Sequence, residues 1–111
     1  MGGAIPPIME PKMSTDIQID EKIKIEIAPP KMWKVIFLND NHTPMEFVIE
    51  VLRTIFRHDE AKARELTLEV HESGSAVAGV YTFEIAEHKG TEASRAAQEN
   101  GFPLQIRVEE E

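Results

Sequence analysis

The chain has 111 residues, which is room for one folded domain and one hydrophobic core. It has no cysteine, so disulfides, thiolate metal sites and cysteine nucleophiles are excluded. The chain has 20 acidic and 12 basic residues, and its formal charge is −8. This charge disfavours nucleic-acid binding, which depends on clustered lysine and arginine. No apolar run approaches the roughly 20 residues of a membrane helix, and no secretion signal is recognisable, so we expect a soluble, cytoplasmic protein.

Residues 1–30 differ in composition from the rest of the chain. Prolines and glycines interrupt a stretch without aromatic residues, which buries too little apolar surface to offset its ordering entropy. We therefore predict a flexible N-terminal arm over residues 1–30 and a folded domain over residues 31–111. Within the arm, residues 17–20 and 23–26 alternate apolar and polar side chains, which leaves open a short strand formed against a partner. Met13 is an alternative start of the native chain.

The folded part begins with a strand and a strongly marked helix start. Residues 32–38 are rich in β-branched and aromatic side chains and lie between prolines and an Asn-Asp-Asn run, which predicts a buried strand. Thr43 is the predicted N-cap of the next helix, Pro44 its first residue and Glu46 the partner in a capping box. Apolar residues then recur at helical spacing, so this helix is predicted to run to about Arg57.

The second helix is also marked at both ends. Asp59 is the predicted N-cap, and apolar residues recur at helical spacing until the helix ends near Glu72. Gly74 follows as the residue expected to end the helix in a left-handed conformation. His71 therefore belongs to the last helical turn, where a histidine is favourable beside the helix dipole even without a ligand.

The remaining chain predicts a strand, a helix and a final strand. The strand is predicted over residues 76–83 and the helix over residues 84–100, in which Gly90 is a local weakness of roughly 1 kcal/mol relative to alanine. From Leu104 to Glu109 apolar and polar residues alternate, which indicates a half-buried strand. The predicted fold is a single α+β domain in which three helices pack on one face of a three-stranded antiparallel sheet.

The polar residues between the first strand and the first helix are the main candidates for chemistry. The side chains of residues 39–43 can all accept hydrogen bonds, but such residues also occur in turns and caps for local backbone reasons. A metal could be bound by His42, His71 and Asp40, although no two histidines have the spacing of a ligand pair on one element. The serines beside Gly74 lack a nucleophile-elbow pattern, which disfavours a hydrolase.

These loop residues resemble a known family once three further segments are considered. The segments Leu38–Val48, Leu68–His71, Ala78–Tyr81 and Glu84–Glu87 occur in the order and at the spacing of the ClpS family, over about residues 31–109. Members of this family are adaptors of the bacterial N-end rule. The resemblance implies a non-enzymatic protein, without cofactor or metal, that binds N-degron substrates beginning with Leu, Phe, Tyr or Trp. It also implies delivery to the N-terminal domain of a Clp AAA+ unfoldase of the ClpA or ClpC type.

The resemblance assigns roles to individual residues. An N-terminal ammonium carries three donors and a positive charge, so its receptor needs several acceptors and no competing cation. The residues that match the family's amine-binding positions are Asn39, Asp40, Asn41 and His71. The residues that match the side-chain pocket are Phe37, Leu38, Thr43, Met45, Val48, Thr67, Val70 and Leu104. The implied unfoldase contacts are Glu84 and Lys89.

Two positions depart from the family pattern. The family usually has an aspartate where Asn41 stands, so one negative charge near the amine is lost. It commonly has methionine where Thr67 stands, which implies a pocket of changed volume or polarity. Met45 is retained and resembles the residue that excludes β-branched side chains by crowding their second Cβ substituent.

A structural interaction module is the alternative interpretation. The C-terminal domain of the bacterial ribosomal stalk protein is similar in fold but has no pocket for an amine. It lacks the Asn-Asp loop paired with a distant Val-His, which this chain has at Asn39-Asp40 and Val70-His71. The adaptor interpretation is therefore favoured.

Overall fold

The computed structural model describes residues 28–111. Three strands and three helices follow in the order β1 (Met32–Leu38), α1 (Met45–Thr54), α2 (Glu60–Ser73), β2 (Ser75–Thr82), α3 (Phe83–Glu99) and β3 (Gln105–Glu110). This order confirms the predicted α+β fold. Most of the predicted arm, residues 1–27, lies outside the described residues. In the part that is described, no helix is long and apolar enough to cross a membrane.

The three strands form one antiparallel sheet in which β1 is central, in the order β2-β1-β3. Val35 of β1 lies opposite Gly79 of β2 and Val108 of β3. A bulge directly after Val35 shifts the register with β2, and the imidazole Nε2 of His58 lies 2.5 Å from the carbonyl oxygen of Ala78 at this point. The short connection between α1 and α2 is thus attached to the edge strand β2.

One face of the sheet carries the hydrophobic core. Val35 and Phe37 are fully buried, because alternate side chains of a strand point to the same face. The Phe37 ring packs edge-on against Phe56, with ring centroids 5.4 Å apart. Trp33 lies on the same face and packs in the same way against Phe83 at 4.8 Å. The helices therefore cover the face that bears these aromatic residues.

Gly90 allows α3 to lie close to the sheet. The residue is buried, and a Cβ atom at this position would be 3.1 Å from Val108 Cγ2 and 4.0 Å from Val35 Cγ1. A larger side chain would force Val108 to move. Glycine costs roughly 1 kcal/mol inside a helix, but here it allows α3 to pack closely on the central strand β1 and the edge strand β3.

The start of α1 differs from the prediction. Its N-cap is Pro44 and its first residue is Met45, so the prediction of Thr43 as N-cap was wrong. Both the hydroxyl and the amide of Thr43 donate to the carboxylate of Asp40 instead. The predicted capping box with Glu46 is therefore not formed. Thr43 is therefore bonded to the Asp40 carboxylate within the loop and does not cap the backbone amides at the start of α1.

The other helix ends agree more closely with their predictions. Asp59 is the N-cap of α2 and accepts a hydrogen bond of 2.7 Å from the amide of Lys62. Gly74 ends α2 with φ 93°, the predicted left-handed conformation. The α1 helix ends at Thr54 rather than near Arg57, since Arg57 itself adopts a left-handed φ of 62°. Strand β2 and helix α3 each begin one residue earlier than predicted.

Candidate functional site

The loop between β1 and α1 borders a concave cavity with a volume of about 220 Å³. The end of β1, this loop, α1, α2 and the segment before β3 all contribute to it. The lining residues are Leu38, Asn39, Asp40, Asn41, Thr43, Met45, Val48, Thr67, Val70, His71 and Leu104. Pockets for drug-sized molecules measure roughly 300–1,000 Å³, so this smaller cavity suits a single amino-acid side chain.

The cavity has a polar rim and a mainly apolar floor. Asn39, Asn41 and His71 are exposed at the rim. The floor consists of Val48, Thr67, Val70 and Leu104, whose exposed fractions are between 3% and 7%. Met45 is 39% exposed and stands at the mouth. A ligand that carries a polar group next to an apolar side chain would match both parts at once.

A backbone hydrogen bond brings the two distant halves of the rim together. The amide of Asn39, directly after β1, donates to the carbonyl of Gly74 at 2.9 Å. Gly74 is the C-cap of α2, and His71 lies in the last turn of the same helix. The bond therefore holds Asn39 beside the carboxyl end of α2. The partial negative charge of a helix C-terminus favours a cation at this place.

Asp40 organises the loop through three hydrogen bonds. Its Oδ1 accepts from the amides of His42 and Thr43, each at 2.7 Å, and its Oδ2 accepts from the Thr43 hydroxyl at 2.8 Å. Burial acts to raise the pKa of Asp40, but the hydrogen bonds from His42 and Thr43 outweigh it and hold this pKa below its ordinary value. The carboxylate is thus kept ionised in a loop that it shapes itself.

The lowered pKa makes the stability of the loop sensitive to acid. A group with a depressed pKa in the folded state stabilises it above the unfolded-state pKa and loses this effect as the pH falls through the folded-state pKa. At neutral pH we expect Asp40→Ala to lower the free energy of unfolding by about 1–2 kcal/mol. Urea unfolding from pH 7 to pH 3 should show this difference shrinking below about pH 4. A constant difference would contradict the role of the charged carboxylate.

Comparison with known proteins identifies the family. The model of the family described as "ATP-dependent Clp protease adaptor protein ClpS" matches residues 28–107. The chain belongs to the ClpS family. Its relatives include the ClpS adapter of Sodalis glossinidius (strain morsitans), 48% identical over 90 residues that cover 81% of this chain and 85% of the relative. The ClpS adapter of Bdellovibrio bacteriovorus is 44% identical over 105 residues, or 95% of this chain and 89% of the relative.

A solved structure shows the same fold in another ClpS protein. The structure of Agrobacterium tumefaciens ClpS2 bound to L-phenylalaninamide matches with a TM-score of 0.72 at 44% sequence identity. The match covers 75% of this chain and 100% of the solved chain. Membership of the ClpS family favours a Clp protease adaptor over the ribosomal-stalk-like module.

Phe37 is the one pocket residue inferred from the ClpS resemblance that does not line the cavity. Only 1% of its surface is exposed, because the strand points it to the helix-covered face, where it packs on Phe56. The next residue, Leu38, does line the cavity. Phe37 is therefore a core residue beneath the site. The other pocket residues and all four amine-binding residues inferred from the resemblance are brought together.

The predicted unfoldase contacts of the ClpS domain lie on α3, and neither of them lines the cavity. Glu84 is exposed in the first turn of the helix. Lys89 is half-buried, and its ammonium donates to the carbonyl of Ile55 at 2.7 Å and lies 5.5 Å from the centre of the Tyr81 ring. This attachment of α3 to the end of α1 was missed by the sequence analysis, since no local pattern signals it.

The residues considered for a metal site are arranged differently. His42 is exposed and does not line the cavity, whereas Asp40 and His71 do. Over residues 28–111, no group of three or more His, Asp or Glu residues stands close enough to hold a metal ion. In this part of the chain the three residues are therefore not gathered into a ligand set.

Proposed function

We propose that this ClpS-family protein binds proteins with a free N-terminal Leu, Phe, Tyr or Trp and delivers them to a Clp AAA+ unfoldase for degradation. It would act in the cytoplasm and catalyse no reaction itself. The observation that carries the proposal is a cavity with an acceptor-rich rim above a mainly apolar floor. The A. tumefaciens relative supports it, because L-phenylalaninamide joins a free α-amine to a phenyl side chain.

The rim suits an ammonium group. A carboxylate offers about four lone-pair positions, and the loop uses three of those of Asp40, so an acceptor and a negative charge remain for a ligand. The side-chain oxygen of Asn39 and one imidazole nitrogen of His71 are further acceptors at the exposed rim. In this proposal the three donors of an N-terminal ammonium are shared among these groups. An internal lysine lacks an adjacent side chain that could enter the floor.

The floor suits a bulky apolar side chain. An aromatic residue buries roughly 150–250 Å² when it leaves water, and this burial provides most of the binding free energy. A short or charged first residue would leave the floor unfilled or would desolvate its charge without a partner. Met45 at the mouth is the proposed barrier to β-branched first residues.

The proposed contact with the N-terminal domain of a ClpA- or ClpC-type unfoldase is on α3. Glu84 is exposed and available to a partner. The ammonium of Lys89 already donates to Ile55, so we propose that Lys89 contributes through the surface around Tyr81 rather than as a free charge. Residues 1–30 are the proposed arm that the unfoldase grips, which leaves residues 31–111 undisturbed.

The proposal is tested with a fluorescent peptide that begins with phenylalanine. Fluorescence anisotropy should show binding of the free peptide, whereas its N-acetylated form should bind at least about 30-fold more weakly, because acetylation removes the charge and two donors. A peptide with serine first and phenylalanine second is the matched control and should also bind weakly. Equal affinities for the free and acetylated peptides would refute amine recognition.

A further inference from the structure

Thr67 is an unusual member of the cavity floor. It is the only polar residue that is buried among residues 28–111, with 3% of its surface exposed. Its neighbours in the floor are Val48, Val70 and Leu104, whose side chains have no polar atom. Among the side chains of the floor, Thr67 alone therefore carries a polar atom that a ligand could contact.

The hydrogen bonding of Thr67 decides what it can offer to a ligand. Its hydroxyl donates to the carbonyl of Ala63, one helical turn earlier, at 2.8 Å. A hydroxyl has one hydrogen and two lone pairs. Because the hydrogen is already used, the Thr67 oxygen can act toward the cavity only as an acceptor. The one polar side chain of the floor can thus serve a ligand as an acceptor and not as a donor.

From this arrangement we infer that Thr67 makes the pocket selective for a first side chain that carries a hydrogen-bond donor, with tyrosine preferred to phenylalanine. The inference rests on the proposed function and specifies its substrate. A phenol hydroxyl buried in a wholly apolar floor would lose its hydrogen bonds to water, which weakens binding. With Thr67 as partner the hydroxyl keeps one hydrogen bond, and because such a bond is stronger in the buried floor than in water, it outweighs the penalty.

A larger cavity would also favour tyrosine, so the experiment must separate volume from hydrogen bonding. The first residue 4-methylphenylalanine has nearly the shape of tyrosine but no donor. The substitution Thr67→Val replaces the hydroxyl by a methyl group of similar size and removes the acceptor. In an α-helix the amide of residue 67 donates to the carbonyl of Ala63, so this carbonyl keeps a hydrogen bond in the variant.

The affinities of three peptides that differ only in a first residue of phenylalanine, tyrosine or 4-methylphenylalanine are measured against the full chain. We expect tyrosine to bind roughly three- to tenfold more tightly than 4-methylphenylalanine. In Thr67→Val the affinities for the tyrosine and 4-methylphenylalanine peptides should become equal within about twofold, whatever the affinity of this variant for phenylalanine. In Thr67→Ser, which keeps the hydroxyl, the preference should remain.

The outcomes distinguish this inference from the proposed function. If the tyrosine preference is the same in wild type and Thr67→Val, the inference about Thr67 is overturned, although amine-dependent binding of the phenylalanine peptide would still stand. If 4-methylphenylalanine equals tyrosine in the wild type, pocket volume rather than a hydrogen bond is responsible, and the inference is also overturned. Loss of amine dependence for all three peptides would refute both proposals.

Discussion

Replacement of Asp40 by alanine is expected to weaken binding of a phenylalanine-initiated peptide by at least about 30-fold. Two losses combine in this variant. The negative charge beside the proposed ammonium position disappears, and the amides of His42 and Thr43 lose the acceptor that shapes the loop. Peptide anisotropy measures the affinity, and circular dichroism checks that the overall secondary structure is retained.

The variant Asp40→Asn separates the two losses. The side-chain oxygen of asparagine can still accept from both amides, and its NH₂ group can donate to the Thr43 hydroxyl, which has free lone pairs. The loop should therefore persist with a smaller loss of stability than in Asp40→Ala, while removal of the charge lowers affinity by about tenfold. If Asp40→Asn binds as tightly as the wild type, the carboxylate serves the loop alone and its proposed contact with the amine is incorrect.

The second large effect is expected for Phe37→Ala, which should lower the free energy of unfolding by about 3–5 kcal/mol. Phe37 is 1% exposed and its ring packs against Phe56, so truncation leaves a cavity between β1 and the end of α1. Small domains have total stabilities of roughly 5–15 kcal/mol, so this variant should be close to unfolding. Urea denaturation measures the loss.

The matched variant Phe37→Leu tests whether Phe37 acts only through the core. Leucine keeps most of the apolar volume, and the expected loss of stability is below about 1.5 kcal/mol. Peptide affinity should be unchanged, because Phe37 does not line the cavity. A tenfold loss of affinity in a stably folded Phe37→Leu protein would instead return Phe37 to the pocket, as the family resemblance implied.

Most of the residues that line the cavity were named before the fold was known. The four residues inferred for the amine and seven of the inferred pocket residues line one cavity, and the ClpS resemblance had selected them by order and spacing. The resemblance did not show which hydrogen bonds the side chains of these residues already make. That the Thr67 hydrogen is used by Ala63, and that three lone-pair positions of Asp40 are occupied by its own loop, follows from the hydrogen bonds alone.

The sequence by itself determined the features that depend on near neighbours. Asp59 caps the start of α2, and Gly74 ends this helix in a left-handed conformation, through contacts that span only a few residues. The alternation of buried and half-buried side chains along β1 follows from the pleat of a strand. For the same reason the element order was predicted correctly. Such signals are local, so they are present in the sequence regardless of what the rest of the chain does.

Tertiary structure decided the features in which several partners compete or distant segments meet. Thr43 had two possible partners, a helix start and Asp40, and only the folded loop shows that Asp40 is the one used. The bond from Asn39 to Gly74 and the bond from Lys89 to Ile55 join segments that are far apart in the chain. No periodicity encodes these contacts, because they depend on how packed elements are placed. The bond from Asn39 to Gly74 is the one that brings the two halves of the cavity rim together.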